Sequence, residues 1–502
     1  MMRSRSFLLF STLLLTCSHS ELFADGRENW PNWRGTTGQG HAPGATPPTD
    51  WSEDSNIKWK TAIPGLGFST PVVWEDTIYL LTALGDENAA TNPTAQRGGP
   101  GGRLGGPAGF DREAIMKEFD KDGDGELNKE ERNALRAEMR SRRGGQGGLG
   151  GQRGQPPGGG RGRGGHAAVV AKQQFKVVAI DRNSGEVKWE KLTVEATPHE
   201  GHHPTNTFAS YSPVTDGEHL YVSFGSRGIY CYDMDGNLIW DKDLGDMRTR
   251  VGFGEGSSPA LAGEHLIVLW DQEDQSFIVA LDKKSGEEVW RKNRDERTSW
   301  TTPVIQEVNG KLQAIVAGTN ATRSYAAETG DIIWETAGLT ANVIPTPVVG
   351  HGNVYVASGY QGRSIQAIKL SAKGDVSGSE DVVWQVSHSA PYVPSPVLSG
   401  DYLYLTKGND AYLACFDAKT GEVIYRDELL EGLRGVYASP LVANGYIYIV
   451  GRQGTTVVLK DSETYEVVGT NKLDDQIDAS PVALGGDLFI RGHNHLYCIS
   501  EN

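Results

Sequence analysis

The chain has 502 residues, a net charge of −16, 64 glycines, 12 tryptophans and 18 tyrosines, and 38% of it is hydrophobic. So many turn-forming residues beside so many aromatics exclude a helical bundle and favour an all-β chain. The acidity excludes a protein that grips nucleic acid with its whole surface.

In chain order, Arg3 and Arg5 precede the apolar run Phe7 to Thr16, and small residues follow from Ser18 to Ala24. This is the pattern of a secretory signal peptide over residues 1–24, so the chain is expected to be exported to a periplasm or beyond. A lipid anchor at Cys17 is the alternative, disfavoured because Thr16 is larger than the usual small residue there. No later apolar run is long enough for a transmembrane segment. After cleavage Cys231, Cys415 and Cys498 remain, an odd and widely spaced set that makes no disulfide framework.

One phrase then recurs. A strand opens on Ser-Pro or Thr-Pro, as in STPVV from Ser69, YSPVT from Tyr211, SSPAL from Ser257 and TTPVI from Thr301. It continues in PTPVV from Pro345, PSPVL from Pro394, ASPLV from Ala438 and ASPVA from Ala479, eight openings in all. Two strands later comes A-x-D-x-x-(S/T)-G-x-x-x-W, ending at Trp189, Trp240, Trp290, Trp334 and Tyr425, with a longer variant ending at Trp384. Period-2 alternation between Gly-containing turns predicts a four-stranded antiparallel meander of about 45 residues per repeat. Eight meanders predict an all-β, eight-bladed β-propeller. Too few residues follow the eighth opening for a fourth strand, and NIKWK with Trp59 reads like one, so the N-terminal strand should close the last blade and remove its free edge. The predicted organisation is residues 25–94 as closing strand and first half of blade 1, 95–167 as an insert, and 168–502 as the rest of the propeller.

These repeats resemble the PQQ-like (quinoprotein) β-propeller family, and the opening NWPNWRG, Asn29 to Gly35, is similar to the start of its secreted bacterial members. The resemblance implies either a quinoprotein alcohol dehydrogenase or a non-enzymatic relative such as the propeller lipoprotein of outer-membrane barrel assembly. It also implies that the recurrent Trp docks between blades. The dehydrogenases of the family share a vicinal Cys-Cys disulfide over the quinone, and this sequence has no adjacent cysteines, so PQQ is not expected. Aligning the repeats puts Cys231, Cys415 and Cys498 at one repeat position with Ala179, Ala280 and Ser324, where a thiol acts as a small buried hydrophobe.

The insert carries Gly- and Arg-rich flanks that cannot bury a core. Between them, residues 111–140 hold D-x-D-x-D-G-x5-E, predicting a small helix-loop-helix EF-hand. Asp120, Asp122 and Asp124 take loop positions 1, 3 and 5, Gly125 the sharp turn, Glu126 a backbone carbonyl ligand, Asn128 a water-mediated one, and Glu131 the bidentate twelfth. Alternate residues turn oxygens inward at the spacing Ca2+ requires, so Ca2+ is the expected cofactor. Residues 95–165 hold fourteen Lys or Arg against ten Asp or Glu, a local excess of positive charge. The Arg-Gly flanks lack interleaved aromatics, and nucleic acid is not expected as a partner.

Two further constellations need weighing. His199, Glu200 and His203 satisfy H-E-x-x-H, but Pro198, Gly201 and Pro204 oppose the helix that a zinc site needs, so an ordinary loop is expected. His493 and His495 are expected to serve blade packing. No catalytic residue is nominated. The sequence reads as an exported calcium-binding propeller acting through a protein or envelope partner, with the dehydrogenase as the alternative.

Overall fold

The computed structural model describes residues 29–85 and 171–501. The leader, the EF-hand segment and its ligand residues lie outside the described residues. The chain divides into two units, Met1–Ala95 with Val170–Asn502, and Gln96–Val169.

The first unit is an eight-bladed propeller of antiparallel meanders. Blade 1 runs Val72–Trp74, Thr77–Leu84, Gln173–Asp181 and Val187–Ala196 from inner to outer strand, and the other blades repeat this order around the ring. In blade 8, Val482–Leu484, Asp487–Arg491 and His495–Ile499 are completed by Ile57–Ala62, with Trp59 opposite Cys498. The N-terminal strand closes the ring as the repeat arithmetic requires.

The Ser/Thr-Pro opening has a physical reason. Each opening hydroxyl accepts the backbone N–H of the same position one blade earlier: Thr70 to Ser212 at 2.9 Å, Ser212 to Ser258 at 2.9 Å, Thr302 to Thr346 at 3.1 Å and Thr346 to Ser395 at 2.9 Å. The series continues from Ser395 to Ser439, Ser439 to Ser480, and back from Ser480 to Thr70 at 3.3 Å. Between blades 3 and 4 the Ser257 hydroxyl donates to the Thr301 carbonyl instead, at 2.6 Å. A belt of side-chain hydrogen bonds thus encircles the channel, each link contributing about 1 kcal/mol, and the following proline has no N–H to leave unpaired inside it.

The A-x-D-x-x-(S/T)-G-x-x-x-W phrase works between neighbours. The Asp, as at Asp181, Asp282 and Asp417, accepts the N–H groups two and three residues on and fixes the turn. The Gly then adopts φ of +75° at Gly185, +72° at Gly286 and +74° at Gly421. The Trp of the preceding blade lies flat on it, 2.6 to 2.7 Å from where a Cβ would stand. Its indole N–H donates to a carbonyl of the same turn, from Trp59 to Arg182, Trp240 to Lys283, Trp290 to Ala327 and Trp384 to Ala418, at 2.9 to 3.0 Å. The Trp approaches past a β-bulge, and opposite it stands the small residue: Ala179, Cys231, Ala280, Ser324, Ala367 or Cys498. The long variant differs for a clear reason: residues 370–381 send Gly374–Asp375 to pair in parallel with the outer strand of blade 4, covering Trp334.

Blade 7 has Gly469 where the others have an aromatic, opposite Val458. The vacancy is filled from the N-terminus. Thr49 lies against Gly469, Trp51 is buried and stacked on Tyr448, and the Asn471 side chain holds Thr49 and Trp51 by their backbones. Further upstream, Trp30 pairs with Val73 of blade 1, Pro31 accepts from Thr215 of blade 2, and His41–Ala42 lie in parallel beside Leu441–Ala443 of blade 7. Gln39 accepts from Val349 of blade 5, and Arg34 donates to the carbonyls of Pro396 and Pro440. Residues 29–62 are therefore one strap that fills the channel, wedges between blades 7 and 8, and closes blade 8.

Candidate functional site

Strand alternation places the turns between strands 1–2 and 3–4 at one end of the channel. The strand 2–3 loops and the blade-to-blade connections lie at the other. The strap meets the turn end, where Asn29 accepts from Glu75 and Thr46 donates to Gly485. The loop end is the one where side chains gather over the mouth.

Two groups there are held by one carboxylate. Asp478, in the connection from blade 7 to blade 8, receives Arg452 in a two-pronged contact, Nε to Oδ1 at 2.6 Å and Nη2 to Oδ2 at 3.1 Å, and His493 Nε2 at 3.0 Å. The Arg452 guanidinium lies 4.2 Å over the Tyr437 ring, and His493 stacks on Phe68 at 4.8 Å. Burial pushes the Asp478 carboxyl up, but the hydrogen bonds from His493 and Arg452 outweigh it and hold it below the ordinary carboxylate range. Phe68, Trp300 and Tyr437 occupy one repeat position, two residues before the Ser/Thr of the opening. Beside His493 lies an open depression of about 490 Å3 bordered also by Lys472, Asp474, Gln476 and Gly65.

The H-E-x-x-H segment is loop, as expected, and its side chains separate. His199 Nε2 meets the Met247 carbonyl at 2.7 Å, and His203 Nδ1 meets the Thr205 hydroxyl at 2.8 Å. Glu200 clamps Thr249 by its backbone N–H at 3.1 Å and by its hydroxyl. That clamp braces the turn of Val251, a β-branched residue at φ +56°. Nearby, Glu255 is enclosed by Ser226 and Tyr211, and burial pushes its carboxyl up. The cavity around Glu200 and Glu255 is only about 30 Å3, room for one water.

Cys231, Cys415 and Cys498 are free, buried and in blades 2, 6 and 8. Burial pushes the Cys231 and Cys415 thiols up to about 12. A thiol reagent at pH 8 should therefore leave these three untouched in the native chain and label all three once it is unfolded. Native labelling at the unfolded rate would contradict this packing. Among the described residues these three cysteines stand in three different blades, and none adjoins another.

Arg452, Asp478 and Tyr437 escaped sequence reading, and His493 was read as packing. The signal was the loop after each second strand. Gly-x-Gln/Asn in GRQG, GHN and GYQG marks one repeat position, which holds Arg452, His493 and Tyr360.

Among the described residues no helix is long and apolar enough to cross a membrane. The family model described as outer membrane protein assembly factor BamB matches residues 142–269, 173–427 and 274–502. Outer membrane protein assembly factor BamB of Moranella endobia (strain PCIT) is 23% identical over 348 residues, covering 65% of this chain and 80% of that protein. Among solved structures, BamB from Moraxella catarrhalis aligns at a TM-score of 0.46 and 15% identity, over 65% of this chain and 88% of that one. Quinohemoprotein alcohol dehydrogenase from Comamonas testosteroni aligns at 0.55 and 9% identity, over 94% and 80%, which shows the shared propeller and nothing of its chemistry. With the repeat matches running through residue 502, the chain belongs to the family of the outer membrane protein assembly factor BamB.

Proposed function

We propose that this chain is an exported, calcium-binding propeller that serves as a non-catalytic scaffold in outer-membrane protein assembly. The observation that carries this reading is the family match over most of the propeller. The scattered cysteines and the strap-filled channel support it, because they leave no quinone roof and close one end of the channel. Site-specific photo-crosslinking from the mouth, at Trp300 and Tyr437, in the native envelope is expected to trap a component of outer-membrane assembly. Dye-linked alcohol oxidation with added PQQ and Ca2+, and no such crosslink, would replace this reading with the dehydrogenase.

The calcium part rests on the complete D-x-D-x-D-G-x5-E loop, with Asp120, Asp122, Asp124, the Glu126 carbonyl and Glu131 as ligands. Calorimetry is expected to show one Ca2+ site in the range of about 10⁻⁵ to 10⁻³ M, as for extracellular modules. Asp120→Ala and Glu131→Gln should each abolish it or weaken it at least tenfold. Unchanged binding in both variants would refute the assignment.

A further inference from the structure

Two carboxyl groups at the loop end of the propeller face one small cavity. Glu200, on the connection from blade 1 to blade 2, and Glu255, on the connection from blade 2 to blade 3, both line the space of about 30 Å3 that has room for one water. Among the described residues every hydrogen-bond partner of the two is neutral: Thr249 for Glu200, and Ser226 and Tyr211 for Glu255. Enclosure is tight on the blade 2 side, where Gly225 lies at φ +55° and the place of a Cβ is taken by the Glu255 carboxylate and the Tyr211 hydroxyl. Burial pushes both carboxyls above their ordinary range, and the hydrogen bonds they accept offset only part of it. Asp478 shows the other outcome: it is buried too, but a guanidinium and an imidazole answer it and hold it below that range.

We infer that Glu200 and Glu255 hold one proton in this cavity as a lock between the two connections, and that losing it releases segment 249–255. The hydrogen bonds point to the seat of the proton. Both oxygens of Glu255 accept, Oε1 from the Ser226 hydroxyl at 2.5 Å, and Oε2 from the Ser226 N–H at 2.8 Å and the Tyr211 hydroxyl at 3.0 Å. On Glu200, Oε1 takes both the N–H and the hydroxyl of Thr249, leaving Oε2 a single long contact of 3.4 Å to the same N–H. Oε2 of Glu200 is therefore the oxygen that carries the proton and donates it into the shared cavity. Thr249 ties the pair to the segment, because its hydroxyl also accepts the Gly254 N–H at 2.9 Å, across Val251 at φ +56°. The Gly254 carbonyl in turn accepts the Trp300 indole N–H at 2.7 Å, and Phe253 lies 6.4 Å from the same ring. Two ionised carboxylates in so small a cavity repel each other, and the strained backbone at Val251 gives the segment a way to relax. The other charged or titratable groups around the pair are His199, Tyr211 and His202 on the first connection, the last edge-on to Phe208, and Arg248 on the second. Blade 2 adds Arg227, which is engaged with Asp246, and blade 1 presents Phe175. A carboxyl raised in the fold stabilises it at low pH and loses that contribution as pH climbs through its folded value, so the lock is closed in acid and opens as pH rises.

This inference stands or falls separately from the scaffold reading and from calcium binding. The test is fluorine NMR of the full chain carrying fluorotryptophan, followed from pH 4.5 to pH 8.5, with the Trp300 signal assigned by its loss in Trp300→Phe. That signal is expected to move in one step as pH rises. In Glu200→Gln, where the amide copies the protonated acid, it should keep its acid position throughout, and Glu255→Gln should behave alike and serves if the first variant does not fold. His199→Gln should retain the step, which separates the carboxyl pair from the neighbouring imidazole. Measured against Glu200→Gln, the wild type should lose about 2 °C or more of melting temperature between the two ends of the pH range. No step in the wild type, a step that persists in either folded Gln variant of the pair, or a step lost in His199→Gln overturns the proposal.

Discussion

A chain lacking residues 29–62 is expected to lose its cooperative thermal transition or to melt at least 15 °C lower than the complete protein. The strap contributes three large buried anchors, Trp30 at 1%, Arg34 at 2% and Trp51 at 3% exposure, and the outer strand of blade 8. Truncating one buried Trp costs about 3 to 5 kcal/mol, so losing two of them with a strand approaches the whole stability of a domain, about 5 to 15 kcal/mol. The control is a chain in which a short turn replaces residues 86–170. Leu84 and Gln174 are paired, so the ends of that connection are already held together by the ladder of blade 1. Its length adds little to the cost of closure, about 0.6 kcal/mol per doubling. This chain should melt within a few degrees of wild type. Differential scanning calorimetry of the two deletions decides the matter, and equal losses in both would show that the strap has no special place in the ring.

The second large effect is expected at a glycine. Gly421→Val should destabilise the propeller by at least about 3 kcal/mol, read as the shift of a urea midpoint at unchanged slope. Two penalties coincide there. The residue adopts φ +74°, which a β-branched side chain tolerates poorly, and a Cβ would stand 2.6 Å from the Trp384 ring. To escape the clash Trp384 must leave the blade interface and give up its hydrogen bond to Ala418. Gly445 is the comparison. It has the same φ of +74° but nothing within 4 Å of its would-be Cβ, so Gly445→Val carries the backbone penalty alone. If the two variants are equally unstable, Trp docking contributes nothing at that interface.

The fold was legible because the repeat writes its interactions as local spelling. Asp, Gly and Trp lie within ten residues of one another, and the Trp of one repeat meets the Asp and Gly of the next, so the same phrase describes both sides of every interface. The circular closure by Trp59 followed from the one repeat lacking a fourth strand. Trp51 did not follow, because it replaces a missing aromatic without occupying its sequence position: it belongs to no strand and reaches Gly469 only through the fold. The Ser and Thr of the openings were visible as a pattern, but their hydroxyls act across blades at separations of 41 to 49 residues between most neighbours, 142 between blades 1 and 2 across the insert, and 410 at the closing step, which no local reading resolves. The mouth escaped for a similar reason. Asp478 and Arg452 are 26 residues apart, one in the connection to blade 8 and the other in a loop of blade 7, and His493 looked like one of two alternating strand residues until its loop placed it beside Asp478.

Ring closure by the N-terminal strap sets an order in time. The contact of Lys58 with Asp487 spans 429 residues, and the partner strand of Ile57–Ala62 is the last of the chain. At synthesis rates of about 5 to 20 residues per second, the strap waits roughly 20 to 90 s before its partner exists. During that interval Ile57–Ala62 has no ladder partner, and both blade 8 and the face of blade 1 that receives Trp59 stay open. The nascent chain is thus an incomplete ring with two exposed interfaces, and the belt of hydroxyls can close only when Ser480 finds Thr70. Completion of this propeller is a single late event, and its first opportunity to mispair is with the open interface of a second unfinished copy.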